Sequence, residues 1–310
     1  MAKNGKRALE LMETIQSAPG QLIMNEIRSL SWSTYTFEEN FQELRSALES
    51  VEDPANVPLM FRRNRSLLAE LQREVARLLH NFVASVQSLI DHTRITARSV
   101  YAEADADLKE YQRRVDLTFR EDPLSQFVRG LRQYSLHYKL PFIGWVMSFS
   151  NESSTMSQAF FLNTAVLLEF DGWPAPAKRY LDDAGERIDL VEAVSEYRDS
   201  VRDFYLWFED DVRDLHSDAI EQVREYEEEL ALIELEGSIA MWEAGPPRTL
   251  GQRIENLFVQ VLSTEELDRV AEAQEPQEKM ELAIQLVRGR VSLPVGLENK
   301  LRGLLTRENG

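Results

Sequence analysis

From Ile188 to about Leu235, apolar side chains return at steps near three and four, through Leu190, Val194, Tyr197, Val201, Phe204, Phe208, Val212, Leu215, Val223, Tyr226, Leu230 and Ile233. That spacing places them on one stripe of an α-helix and predicts the strongest element of the chain. At about 1.5 Å per residue, an unbroken helix over this range would run roughly 70 Å. A compact bundle needs no rod of that length. The helix is therefore expected either to kink or to reach a partner subunit or the C-terminal part of the chain.

A second stripe, Leu67, Leu71, Val75, Leu78, Phe82, Val86 and Leu89, predicts a long helix from Arg63 to about Arg98. Another helix is expected from Asp105 to Phe119. A third opens at Asp122-Pro123, where Asp suits the N-cap and Pro the first helical position. It carries Phe127, Leu131, Tyr134 and Tyr138 and must stop by Leu140, because Pro141 disfavours helical geometry in the residue before it. Shorter helices are read at Gly5 to Gln16, Gln21 to Leu30, Phe37 to Leu48 and Ala177 to Leu181.

Aromatic and β-branched residues flank the polar run Ser150 to Thr155, which predicts one β-hairpin or extended flap near 142–170, the only strand candidate. Beyond Gly245-Pro-Pro247 come Leu250 to Leu262, a capping-box sequence at Ser263 to Glu266, Glu278 to Val287 and Leu297 to Leu305. The fold class is thus mainly α: a helical bundle with very long helices, one hairpin and a small helical C-terminal appendage. The punctuation at Asp53 to Pro58 and at Gly245-Pro-Pro247 divides the chain into N-terminal helices (1–58), a bundle carrying the hairpin as an insertion (59–244) and the appendage (245–310).

The chain has no cysteine, which excludes a disulfide framework, a thiolate nucleophile and a zinc-thiolate site, and a cytoplasmic setting is expected. Met1 to Arg7 has the charge of a signal-peptide start, but Glu10, Glu13 and Gln16 interrupt the apolar stretch that would have to follow. The most apolar segment, Ala159 to Phe170, is broken by Asn163 and Thr164 and is too short to span a bilayer, so no membrane is implied.

The net charge of -18 opposes contact with polyanions, yet its distribution is uneven. Residues 61–140 hold 14 basic and 10 acidic side chains, whereas residues 141–310 hold 16 and 34. Arg62, Arg63, Arg65, Arg73, Arg77, Arg94, Arg98, Arg113, Arg114, Arg129 and Arg132 all lie in the basic block. Such arginines either decorate solvated helix faces and pair with carboxylates or form a phosphate-facing patch.

Whole enzyme classes lack their residues here. There is no glycine-rich phosphate loop, no Gly-x-Ser-x-Gly elbow, no dinucleotide fingerprint and no paired-histidine metal motif, so neither metal nor cofactor is implied. Of the four histidines, His80 and His92 lie beside an apolar stripe and read as helix-face or hydrogen-bonded core groups, and His216 lies among acidic residues. His137 differs. It falls in the last turn before Pro141, where the helix dipole favours imidazolium, and Arg132 stands five residues upstream.

The segment Arg132-Gln133-Tyr134-Ser135-Leu136-His137 resembles the mark of the HEPN family (higher eukaryotes and prokaryotes nucleotide-binding), helical bundles carrying Arg, four to six residues, then His. Gln133 stands where many members have Asn, Asp or His. The wider resemblance, a motif helix preceded by a long helix and followed by others, covers roughly residues 60–240. It implies a metal-independent endoribonuclease of the toxin or antiphage-defence kind, acting on RNA at a homodimer interface and controlled by an inhibitory or regulatory protein or by a nucleotide.

On that resemblance His137 is the acid-base group, Arg132 the phosphate clamp, and Gln133 and Tyr138 orient substrate. Five residues of ideal helix turn through about 500°, leaving Arg132 and His137 about 140° apart, so a shared site needs a frayed last turn or a second subunit. The acidic 141–310 segment fits a different class of function, a non-catalytic helical scaffold or protein-interaction module.

Overall fold

The computed structural model describes residues 2–50, 64–150, 155–244 and 250–306. The fold is mainly α, with a small three-stranded antiparallel sheet. The elements fall into two compact units, Asn25–Leu215 and a second made of Met1–Met24 with His216–Gly310. Linker signals had grouped the helices by stretches of chain; contacts group them across it, because a helix packs on whichever apolar stripe fits its own. The punctuating segments Asp53 to Pro58 and Gly245-Pro-Pro247 lie outside the described residues.

In the larger unit, the part of α2 (Pro19–Glu49) from Asn25 onward, α3 (Arg65–Val100) and α8 (Leu190–Leu215) supply one aromatic seam. Phe82 lies 5.4 Å from Phe37 and meets the ring of Tyr197 edge-on at 6.2 Å. Arg198 on α8 forks onto Glu38 of α2 at 2.9 to 3.0 Å. The sequence reading had two short helices at Gln21 to Leu30 and Phe37 to Leu48. The helix is continuous through the hydroxyl-rich link because Ser31, Thr34 and Thr36 bond back to the carbonyls of Arg28, Leu30 and Trp32, so these side chains cap no new start.

The expected helix from Asp105 to Phe119 ends differently: α4 (Asp105–Val115) runs into a π-helical turn, Asp116–Arg120, closed by the Glu121 amide on the Asp116 carbonyl at 2.8 Å. The helix α5 (Pro123–His137) starts and stops where the sequence placed it. Asp122 caps it, its Oδ2 accepting from the Ser125 amide at 2.6 Å.

The hairpin is present as β1 (Ile143–Ser150) and β2 (Thr155–Asn163), paired from Ile143 with Leu162 outward, and Gln72 of α3 ties it down by donating to the Ile143 carbonyl at 2.7 Å. It ends before the expected Phe170. Asn163 accepts from the Val166 amide at 3.0 Å and so opens the short α6 (Thr164–Leu167). A third strand, β3 (Arg187–Asp189), was absent from the sequence reading. It sets Ile188 beside Leu162 and is too short to show an alternation of its own. Gly185 precedes it at φ 71°, a backbone conformation that glycine adopts without a side-chain clash. Between the strands, α7 (Ala175–Asp183) packs on α5.

The long C-terminal helix breaks at His216 into α8 and α9 (Ser217–Ala244), where Ser217 and Asp218 bring short polar side chains to a new first turn. In the smaller unit, α9 packs with α1 (Ala2–Ser17), with Arg7 forked onto Glu229 at 2.8 Å. The helices α10 (Leu250–Phe258), α11 (Thr264–Glu272), α12 (Pro276–Arg288) and α13 (Val295–Thr306) share a core of Leu235, Trp242, Phe258, Met280, Ile284 and Leu301. The capping box at Ser263 and Glu266 is formed.

Two glycines of this smaller unit should respond oppositely to alanine. A Cβ on Gly20 would lie 2.1 Å from the Ala219 carbonyl oxygen, a backbone atom that cannot turn aside, whereas one on Gly237 meets nothing within 4 Å. Gly20→Ala is expected to lower the unfolding free energy by about 1–3 kcal/mol. Gly237→Ala, inside α9, should raise it by about 0.5–1 kcal/mol, both read by urea denaturation.

Candidate functional site

Helix α5 buries one face and opens the other. Phe127, Leu131 and Tyr134 point into an aromatic nest in which Trp173 stacks on Phe127 at 5.6 Å and on Tyr134 at 5.9 Å. Burial of three such side chains contributes about 1.5–3 kcal/mol each. Trp173 is held by its indole N–H on the Leu167 carbonyl at 2.8 Å. It also lies so close to α5 that a Cβ on Gly130 would come within 2.6 Å of its ring. Sequence reasoning passed over Gly130, since a glycine in mid-helix signals nothing until its neighbour is known.

The open face carries the motif. With Arg129 as origin on an ideal helix, Arg132 falls about 60° to one side, and Gln133 and His137 about 40° and 80° to the other. Arg132 is half-buried, and Gln133, His137 and Tyr138 are exposed. Among the described residues no hydrogen bond or ion pair links Arg132 to His137. The helix stays regular through His137 and is closed at Tyr138, whose amide donates to the Tyr134 carbonyl at 3.0 Å. Tyr138 turns its ring against Tyr134 and Phe170, at 5.3 and 5.6 Å. Four large apolar side chains surround His137 in sequence and stand open: Leu136 at 48%, Tyr138 at 47%, Leu140 at 55% and Phe142 at 68% exposure.

The first half of the same face lines a cavity of about 580 Å³ bounded by α3, α4, the π-helical turn, α5 and α8. Arg94 and Arg98 reach it from α3, Arg120 from the π-helical turn and Arg129 from α5. Arg94 and Arg120 keep single long contacts to Asp91 and Asp116, at 3.3 and 3.4 Å. Arg98 and Arg129 have no hydrogen bond or ion pair among the described residues. The walls are aromatic, with Tyr111, Phe119 and Tyr197 among them. Burial raises the Tyr111 hydroxyl pKa, against a lowering pull from Arg94 and Arg98.

The π-helical turn owes its place to two buried polar side chains of α5. Ser125 donates to the Thr118 carbonyl at 2.9 Å and Gln126 to the Phe119 carbonyl at 2.6 Å, satisfying acceptors that the widened turn leaves behind. Arginine density in residues 61–140 was the one sequence signal for this cavity. It could not say which guanidinium groups converge.

The remaining histidines lie elsewhere. His92 shares a 2.6 Å hydrogen bond with Ser33, and His80 keeps a buried Nδ1 that has no partner among the described residues. Among the described residues no group of three or more His, Asp or Glu side chains is arranged to hold a metal ion, and no helix is long and apolar enough to cross a membrane. No family model matches the chain, and no curated protein or solved structure matches it.

Replacing Gln126 by Leu leaves the Phe119 carbonyl without its donor inside the protein. The expected loss is about 1–3 kcal/mol of stability, read by chemical denaturation, with earlier amide hydrogen exchange at 116–120 than in the rest of α4 and α5.

Proposed function

We propose that the chain is a metal-independent endoribonuclease whose site forms where two copies meet at the C-terminal end of α5. The observation that carries this reading is an exposed His137 set among exposed Leu136, Tyr138, Leu140 and Phe142, with Arg132, which has no partner among the described residues, on the same open sector of the helix. Apolar groups of that size, crowded into residues 136–142, favour burial against a second surface. A second copy answers the 140° problem, because each His137 can then work with the Arg132 of its partner as well as its own.

In the reaction, the ribose 2′-oxygen attacks phosphorus while the bond from phosphorus to the 5′-oxygen breaks. His137 takes the 2′-hydroxyl proton, and an imidazolium at the same composite site returns a proton to the leaving 5′-oxygen. Arg132 holds the phosphate oxygens, whose charge grows in the transition state, with two parallel N–H donors. Gln133 and Tyr138 flank the path that the RNA strand would take. The toxin or defence role belongs to this proposal, as does control by an inhibitory protein.

Purified protein should cut single-stranded RNA in the presence of EDTA. His137→Ala should slow cleavage by about 10²- to 10⁴-fold, and Arg132→Gln by about 10²- to 10³-fold, with unchanged circular dichroism. Phe142→Asp together with Leu140→Asp should convert a dimer to a monomer in light scattering and abolish cleavage. Equal RNA cleavage by wild type and His137→Ala removes the nuclease reading and leaves the scaffold.

A further inference from the structure

We propose that the arginine-lined cavity between α3, α4, the π-helical turn, α5 and α8 binds a small phosphorylated aromatic molecule of about mononucleotide size. The proposal concerns a different site from the Arg132 and His137 pair and does not rest on cleavage of RNA. Three properties of the cavity define the ligand.

The first is charge. Arg94, Arg98, Arg120 and Arg129 line one space that holds a single carboxylate, Asp116, in a chain whose net charge is -18. Gathering like charges costs free energy unless an anion answers them, and Asp116 and Asp91 reach only Arg120 and Arg94. Arg98 and Arg129 remain for a ligand. Guanidinium groups match phosphate better than they match a simple halide or a lone carboxyl, because their N–H donors form a planar fork.

The second is the wall. Tyr111, Phe119 and Tyr197 line the space behind the arginines, and Phe119 is fixed edge-on against Phe204 at 4.9 Å. A planar aromatic group gains from such surfaces by stacking and by loss of water, which an inorganic ion does not. Gln87 and Gln112 add amide donors and acceptors suited to the edge of a heteroaromatic ring.

The third is size. About 580 Å³ falls in the range of small-molecule pockets, and five elements bound it. That volume suits one ring with one or two phosphates.

Isothermal titration of the full chain with adenosine monophosphate, adenosine and inorganic phosphate tests the proposal. Adenosine monophosphate should bind at one site per chain, at least tenfold more tightly than either fragment. Arg98→Gln with Arg129→Gln should weaken it by roughly tenfold per guanidinium removed. Arg213→Gln, which replaces an arginine paired with Glu209 away from the cavity, should leave the affinity unchanged. Arg98 and Arg129 are exposed and have no partner among the described residues, so folding is retained and circular dichroism checks it. Absence of saturable binding overturns the proposal, and so does equal affinity in the double variant. Binding of phosphate as tight as that of adenosine monophosphate removes the aromatic part, and displacement by an RNA oligomer at lower concentration assigns the cavity to the polymer. Because the readout is an equilibrium, loss of RNA cleavage in His137→Ala bears on the other site alone.

Discussion

The packing of α5 on Trp173 governs the architecture around both candidate sites. One side of the helix is committed to that ring, with Phe127 and Tyr134 stacked on it and Gly130 giving it room. A helix has only one circumference, so fixing its apolar side also fixes which side chains face away. Arg129, Arg132, Gln133 and His137 occupy the remaining sector by default of geometry, and their positions depend on a tryptophan some forty residues later in the chain.

The same constraint joins two candidate sites on one rod. Near its start α5 contributes Arg129 to the arginine-lined cavity; near its end it presents His137 beside exposed apolar groups. The polar side chains between Asp122 and Arg129 are not interchangeable surface residues. Asp122 caps the helix, whereas Ser125 and Gln126 hold the carbonyls of the π-helical turn and thereby set Phe119 and Arg120 at the cavity wall. A buried amide that donates at 2.6 Å replaces water which the interior excludes, and the widened turn would otherwise carry unsatisfied acceptors.

Electrostatics separates the two sites from the rest of the molecule. Half of the described arginines of the basic block spend their charge on neighbouring carboxylates one helical turn away, as Arg77 does with Glu74 and Arg113 with Glu110. Glu110, held between Arg113 and Arg114, has its carboxyl lowered to about 2. Exposed pairs of that kind add little to stability. They do sort the cations: Arg98, Arg129 and Arg132 are among those that have no protein acceptor among the described residues.

The sequence alone determined the elements whose causes are local: the stripes that became α3 and α8, the Asp122-Pro123 start and the stop before Pro141, the hairpin, and the capping box at Ser263. Each follows from backbone chemistry within a few residues. Tertiary structure decided the rest: continuity of α2 through its hydroxyl-rich link, the break at His216, the added strand at Ile188 and the meeting of arginines from three elements. Those outcomes turn on partners far away in the chain, and a pattern of three and four records that a residue is buried without recording against what. The motif at Arg132 and His137 was legible as letters, while the face it shares with Arg129 became visible only once Trp173 had claimed the other side.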